Sequence, residues 1–228
     1  MRKSRLFLAF VGSLFLTSVF AQVEFDVKLG LNNSSIGVNG ISESIMPTTS
    51  GKTTLSIGSD VSYQLDNHFS IGTGAHYNRM GFFVKEGTAF NLAGIDIPLG
   101  VELQVVENEI NIPLFLKYTY PTQWANFYAK AGPSISIGTG GTYKTVATSI
   151  INFTLDERGI GYSDSSLFNR NSINMDMGLG ATFPYGSGHI IAEIGMRRGM
   201  TDKIESDLLD TKVTYNSMNF KVGYGLKF

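Results

Sequence analysis

The chain contains no cysteine. That excludes disulfides, a thiolate nucleophile and any cysteine-ligated metal. It has three histidines, His68, His76 and His189, none paired at metal-ligand spacing. No nucleophile elbow is present either. Charge is sparse: Asp, Glu, Lys and Arg together make up 16% of the residues. No basic stripe is there to follow a nucleic acid. After residue 20 there is no apolar run of about 18 residues, so no transmembrane helix is expected. Helical periodicity, heptads, low-complexity segments and hinge linkers are missing as well.

What is present begins with MRKSRLFLAFVGSLFLTSVFAQ. Arg2, Lys3 and Arg5 precede an apolar stretch from Leu6 to Phe20, and small or modest residues end at Ala21. This is the pattern of a secretory signal, residues 1–21, with the mature domain at 22–228. The stretch is short for a membrane anchor, and with no Cys after the cut the product is not a lipoprotein. Of the 18 Lys and Arg, three leave with the signal. The remaining 15 face 19 Asp and Glu, a net charge of −4.

The mature chain alternates. Eight segments place apolar residues at every second position, the signature of strands with two different faces. They are Glu24–Asn32, Thr54–Leu65, Phe69–Asn78, Ile110–Tyr120, Phe127–Gly138, Ile173–Phe183, Ile190–Arg197 and Tyr215–Phe228. The connections alternate too. Asp66–His68, Pro121–Asn126 and Pro184–His189 are short and rich in turn formers. Residues 33–53, 79–109, 139–172 and 198–214 form long connections. This order predicts an all-β fold, an eight-stranded antiparallel up-and-down barrel with its long loops at one end.

One face of these strands carries no charge at all, for example Leu55, Ile57, Leu114, Leu116, Leu179 and Phe220. The other carries Glu24, Asp26, Lys28, Asp60, Lys117, Lys130, Asp176, Glu193, Arg197, Lys221 and Lys227. Periodicity does not say which face is outside. A soluble sandwich or lipocalin-like barrel would turn the charges to water. Two features favour the inverse. The charged face is crowded with glycine, which weakens an exposed strand but makes room inside a narrow barrel. The apolar face ends in aromatics on the short-turn side: Tyr63, Tyr118, Tyr120, Trp124 (in a turn), Phe127, Tyr224 and Phe228. That is the girdle expected where a barrel meets the membrane interface.

The stretches NEINIPLFLKYTY and FYAKAGPSISIG resemble the E-I-P-L-h-h-K-Y…A-G-P signature of PorT-like outer-membrane β-barrel proteins. HFSIGTGAHYNRMG, INMDMGLGATF and MNFKVGYGLKF resemble that family too, in the same order, over nearly all the mature chain. Asn111 stands close to where the motif has its acid, with Glu109 nearby. The resemblance implies an eight-stranded barrel in the outer membrane of a Gram-negative cell. It implies no single activity. A component of a secretion or gliding-type assembly is an alternative that comes from the resemblance alone. A terminal aromatic, Phe228 here, is also what such proteins present to the barrel-assembly machinery.

The inward charges through Lys221 are five acids and five bases, which reads as ion-paired filling rather than a selective channel. Eight strands leave a lumen that side chains can fill. His76 is placed opposite Gly58 and diagonal to Ser56 and Asp60. That juxtaposition raises an outer-membrane hydrolase as an alternative, but diagonal neighbours stand about 7–8 Å apart and no catalytic motif supports it. His68 and His189 read as interface residues. The longest loop offers Tyr143, Phe153, Tyr162 and Phe168 as candidate binding aromatics. The expectation is a non-enzymatic structural or binding protein of the cell envelope. No cofactor or metal is expected. The expected partners are outer-membrane lipid and lipopolysaccharide, the assembly machinery and an envelope protein, with no nucleic acid.

Overall fold

In lipid a two-faced sheet must leave no unpaired edge and must keep its charged face off the hydrocarbon, and closing on itself does both. The computed structural model describes residues 22–39, 48–92, 95–148, 153–162, 169–203 and 212–228. The signal reading at residues 1–21 lies outside the described residues, as does Phe168.

Nine strands are described: β1 (Val23–Asn39), β2 (Thr48–Gln64), β3 (Phe69–Leu92), β4 (Ile95–Pro121), β5 (Asn126–Thr148), β6 (Phe153–Gly159), β7 (Asn171–Tyr185), β8 (Gly188–Gly199) and β9 (Lys212–Lys227). Eight of them close an antiparallel barrel in the order β1-β2-β3-β4-β5-β7-β8-β9, with β9 paired back to β1. The seam runs from Glu24 opposite Lys227 to Asn39 opposite Lys212. The amide of Phe228 donates to the Val23 carbonyl at 2.9 Å, so the sheet is hydrogen-bonded to its last residue.

The turns at one end are tight. Asp66 accepts from the amides of His68 and Phe69, both at 2.7 Å, which holds its carboxyl below the usual carboxylate range. Gly186 takes a positive φ of 62° in the two-residue link between Tyr185 and Gly188, where a left-handed residue fits the twist of the flanking strands.

The apolar face is outside. Leu55 is 65% exposed and Leu179 62% exposed, whereas Asp60 is 2% and Lys28 3% exposed. The outer belt spans about the 9–11 residues a tilted strand needs to cross a bilayer: Ile110 to Tyr120 on β4, and Ile173 to Phe183 on β7. Its upper edge is marked by outward Arg79 on β3 and Arg198 on β8. Tyr118, Tyr120, Trp124, Phe127, Tyr224 and Phe228 lie exposed at the short-turn end, with Tyr63 partly covered on the same outer face. Trp124 meets Phe127 edge-on at 5.8 Å, and Phe69 meets Tyr118 at 5.1 Å.

The strands do not stop at the belt, which corrects the reading of residues 79–109 and 139–172 as loops. β3 and β4 stay paired up to Leu92 opposite Ile95. Residues 153–159 form a ninth strand, β6, laid against Thr142–Ala147 of β5. These segments escaped the alternation rule because above the lipid neither face is uniformly apolar. Inside this extension Met80, Phe82, Val105, Ile160 and Tyr215 form a buried apolar core.

Candidate functional site

The lumen is the candidate site, because the barrel gathers its buried polar chemistry there. All ten inward charges from Glu24 through Lys221 point into it, in tiers that climb the barrel.

At the short-turn mouth, Lys117 Nζ donates to Glu24 Oε2 at 2.6 Å, and His189 Nε2 stands 3.0 Å from Glu24 Oε1 and 3.2 Å from Asp26 Oδ1. His189 is therefore a lumen residue, not an interface residue. Its strand begins at Gly188, earlier than the alternation from Ile190 indicated, and that turns the ring inward. Lys227 lies opposite Glu24 in register but donates to Gln64 Oε1 at 2.6 Å.

The middle tier is the densest. Lys28 Nζ bonds Asp60 Oδ2 at 2.8 Å and Glu193 Oε2 at 2.9 Å. Lys130 Nζ reaches the same two oxygens at 3.2 and 2.9 Å. Tyr128 donates to Glu193 at 2.8 Å, and His76 Nε2 stands 2.7 Å from Asp60 Oδ1. Lys221 Nζ approaches His76 Nδ1 at 3.4 Å. The lumen glycines provide the room. A Cβ on Gly58 would strike the His76 ring, and one on Gly180 would strike Tyr128.

Above it, Arg197 holds Glu109 at 2.5 Å and Asp176 at 2.8 Å, and Asn111 donates to Asp176 at 3.0 Å. The top tier is a lid. Lys203, from the connection after β8, is 1% exposed and binds Glu107 Oε1 at 2.7 Å. Tyr162 donates to the same oxygen at 2.7 Å, and burial together with that carboxylate pushes its hydroxyl pKa up.

Glu107, Tyr128 and Lys203 were missed in the sequence, and Glu109 was noted there only beside the motif's acid position. Glu107, Glu109 and Lys203 fall in segments that read as loops. A buried lysine in a polar connection carries no local signal. The loop aromatics need correction. Tyr143 packs beside the upper apolar core and Tyr162 faces Glu107, so neither is offered outward as a binding side chain. Tyr143 lies on β5, and Tyr162 follows the end of β6. Phe153 opens β6.

The hydrolase geometry does not assemble. Gly58 does pair with His76, but Ser56 Oγ donates to Asn78 Oδ1 at 2.6 Å and makes no bond to His76. A serine without its base is a poor nucleophile.

A space of about 30 Å³ lies in mid-barrel against His76, Asn111, Arg197 and Lys221. It has room for about one water. With ion pairs filling the bore above and below it, planar-bilayer recordings should show no large, stable conductance. Steps of general-porin size would refute a filled lumen.

Residues 20–205 match the family described as outer membrane protein beta-barrel domain. No curated protein matches the sequence. Several solved structures are similar to the chain. Ail of Yersinia pestis is 13% identical, with 90% of this chain and 99% of that chain covered and a TM-score of 0.35. Neisserial surface protein A is 13% identical, with 90% and 97% covered and a TM-score of 0.43. OprG of Pseudomonas aeruginosa is 14% identical, with 91% and 96% covered and a TM-score of 0.45.

Proposed function

The chain belongs to the outer membrane protein beta-barrel domain family, and from that premise we propose that it is a non-enzymatic envelope protein whose long-loop end binds a partner while its lumen serves as rigid filling. It is located in the outer membrane of a Gram-negative bacterium. The observation that carries the proposal is the stack of ion pairs that fills the lumen in tiers from Glu24 to Lys203. Such a stack stiffens a scaffold and blocks its bore. Strands that rise past the lipid then hold a platform clear of the membrane. On that platform β6 is paired to β5 alone among the described residues, and Leu155, Asp156, Glu157 and Arg158 stand exposed along it. An edge strand of this kind is a ready template for strand addition by another chain.

Within this reading, lipid and lipopolysaccharide wet the belt and the assembly machinery engages the closing strand. The PorT-like motifs favour membership of that subgroup and leave a secretion or gliding-type assembly as the second reading. Orientation follows from the family rule that short turns are periplasmic and long loops extracellular. A peptide tag inserted between residues 149 and 152 should react with antibody on intact cells, and one at Gly186–Ser187 should not. The reverse pattern would overturn the orientation. The functional test is crosslinking and affinity capture from native outer membranes, with wild type beside a chain lacking residues 149–160. A partner recovered with wild type and lost on deletion supports platform binding. Equal recovery from both would exclude β6.

A further inference from the structure

The lowest tier of the filling, at the mouth of the barrel, brings two carboxylates and an imidazole together from different strands. Glu24, Asp26 and His189 each offer one donor atom, and these atoms lie within 4.8 Å of one another. They come from β1 and β8 and meet over β9, in the row where Asp26 pairs with Gly225 and Gly225 pairs with His189. We infer that these three atoms form a binding site for a divalent transition-metal ion of the zinc class, placed across the barrel seam and open on its fourth side to the mouth cavity.

Geometry comes first. The imidazole nitrogen is 3.0 Å from the Glu24 oxygen and 3.2 Å from the Asp26 oxygen. Ligand bonds of 2.0–2.1 Å in a tetrahedron put neighbouring donor atoms about 3.3 Å apart. Both distances from the imidazole nitrogen therefore stand close to that spacing, and the carboxylate oxygens offered by the two acids lie within 4.8 Å of each other. One nitrogen and two carboxylate oxygens suit zinc, and an open fourth corner leaves room for a water.

The second observation is the strand beneath. Gly225 lies between the donors, and a Cβ there would collide with both Asp26 Oδ1 and His189 Nε2. The donor atoms converge on a space that exists because this residue has no side chain. Third, each carboxylate divides its oxygens. Glu24 gives Oε2 to Lys117 at 2.6 Å and turns Oε1 to His189. Asp26 has Oδ2 3.6 Å from Lys28 and turns Oδ1 to His189. Outer partners of this sort fix ligand orientation around a metal. Fourth, the site has an entry path. Glu24 and His189 line a cavity of about 400 Å³ at the short-turn mouth, together with His68, Lys117, Tyr128 and Lys227.

Sequence spacing could not reveal this, because Asp26 and His189 are 163 residues apart. A metal here would clip β1 to β8 across the closing strand and would bind only the closed barrel. It would therefore stabilise the closed form by mass action. The competing arrangement is a metal-free salt bridge from a protonated His189 to the two acids.

The test uses the full mature chain refolded in detergent micelles and titrated with zinc chloride against a chromophoric chelator. One zinc per barrel is expected, with a higher temperature for conversion of the compact electrophoretic form to the unfolded one. His189→Gln and Asp26→Asn should each weaken binding by about 100-fold or more, while His68→Ala, at the same mouth, should leave it unchanged. Acylation of wild type with diethyl pyrocarbonate gives a measure that needs no variant: zinc should protect His189 and not His68. No zinc bound by wild type, equal binding by wild type and His189→Gln, or no protection of His189 would each overturn the site and leave the salt bridge. The platform proposal is untouched by any of these outcomes, since it is read by partner capture.

Discussion

Leu179→Arg should abolish most recovery of folded protein in the outer membrane. Leu179 is 62% exposed on β7, near the middle of the apolar belt from Ile173 to Phe183. A cation at the bilayer midplane of a barrel costs about 2–4 kcal/mol. That is a large share of the roughly 5–15 kcal/mol that typically holds a domain together. Leu114→Arg on β4, where Leu114 is 54% exposed, should behave alike. The control is Gly178→Ser, one residue away on the lumen face. A Cβ there would lie 3.2 Å from the flexible Lys130 chain, which can give way. The measurement is the fraction of heat-modifiable barrel in purified outer membranes. If the arginine variants insert as well as wild type, the apolar face is not against lipid.

The legibility of this fold differed above and below one boundary. In the lipid belt outward positions must be uncharged and are mostly apolar, so period-two alternation marked the belt segments, as at Ile110–Tyr120. The short turns were legible for a related reason, since Asp66, Pro121 and Gly186 carry turn chemistry. Above Arg79 and Arg198 the constraint lapses. There the hairpin of β3 and β4 and the added β6 are held by pairing and by the small core around Met80 and Phe82. Neither leaves a clean period. The lumen was legible as a set of charges, because an unpaired charge in a narrow bore is too costly to tolerate. Who pairs with whom was not. Lys28 reaches Glu193, 165 residues away, across the barrel. Partners across a bore depend on stagger and side-chain reach, and a single sequence carries neither. Glu24 and Lys227 show the limit: their backbones are opposite, yet each side chain finds another partner.

Lys28 is where that lumen chemistry should fail hardest. Its ammonium is 2.8 Å from Asp60, 2.9 Å from Glu193 and 3.6 Å from Asp26. All four residues are buried, none more than 6% exposed. Lys28→Met keeps most of the volume and removes the cation. Asp60 and Glu193 are then left to share Lys130, and two carboxylates around one ammonium repel each other in a poorly solvated space. Removing one partner of a buried ion pair costs about 3–5 kcal/mol. The urea midpoint of the refolded barrel should fall steeply, with the slope of the transition unchanged. The double variant Lys28→Met with Glu193→Gln then separates charge from packing. It deletes one acid along with the base, and the amide oxygen that replaces the carboxylate can still accept from Tyr128. If charge imbalance is the cause, the double variant should recover at least half of the lost stability and depart from the sum of the single effects. A double loss equal to that sum would mean Lys28 contributes by filling space, and the ion-pair stack would not be what holds the bore shut.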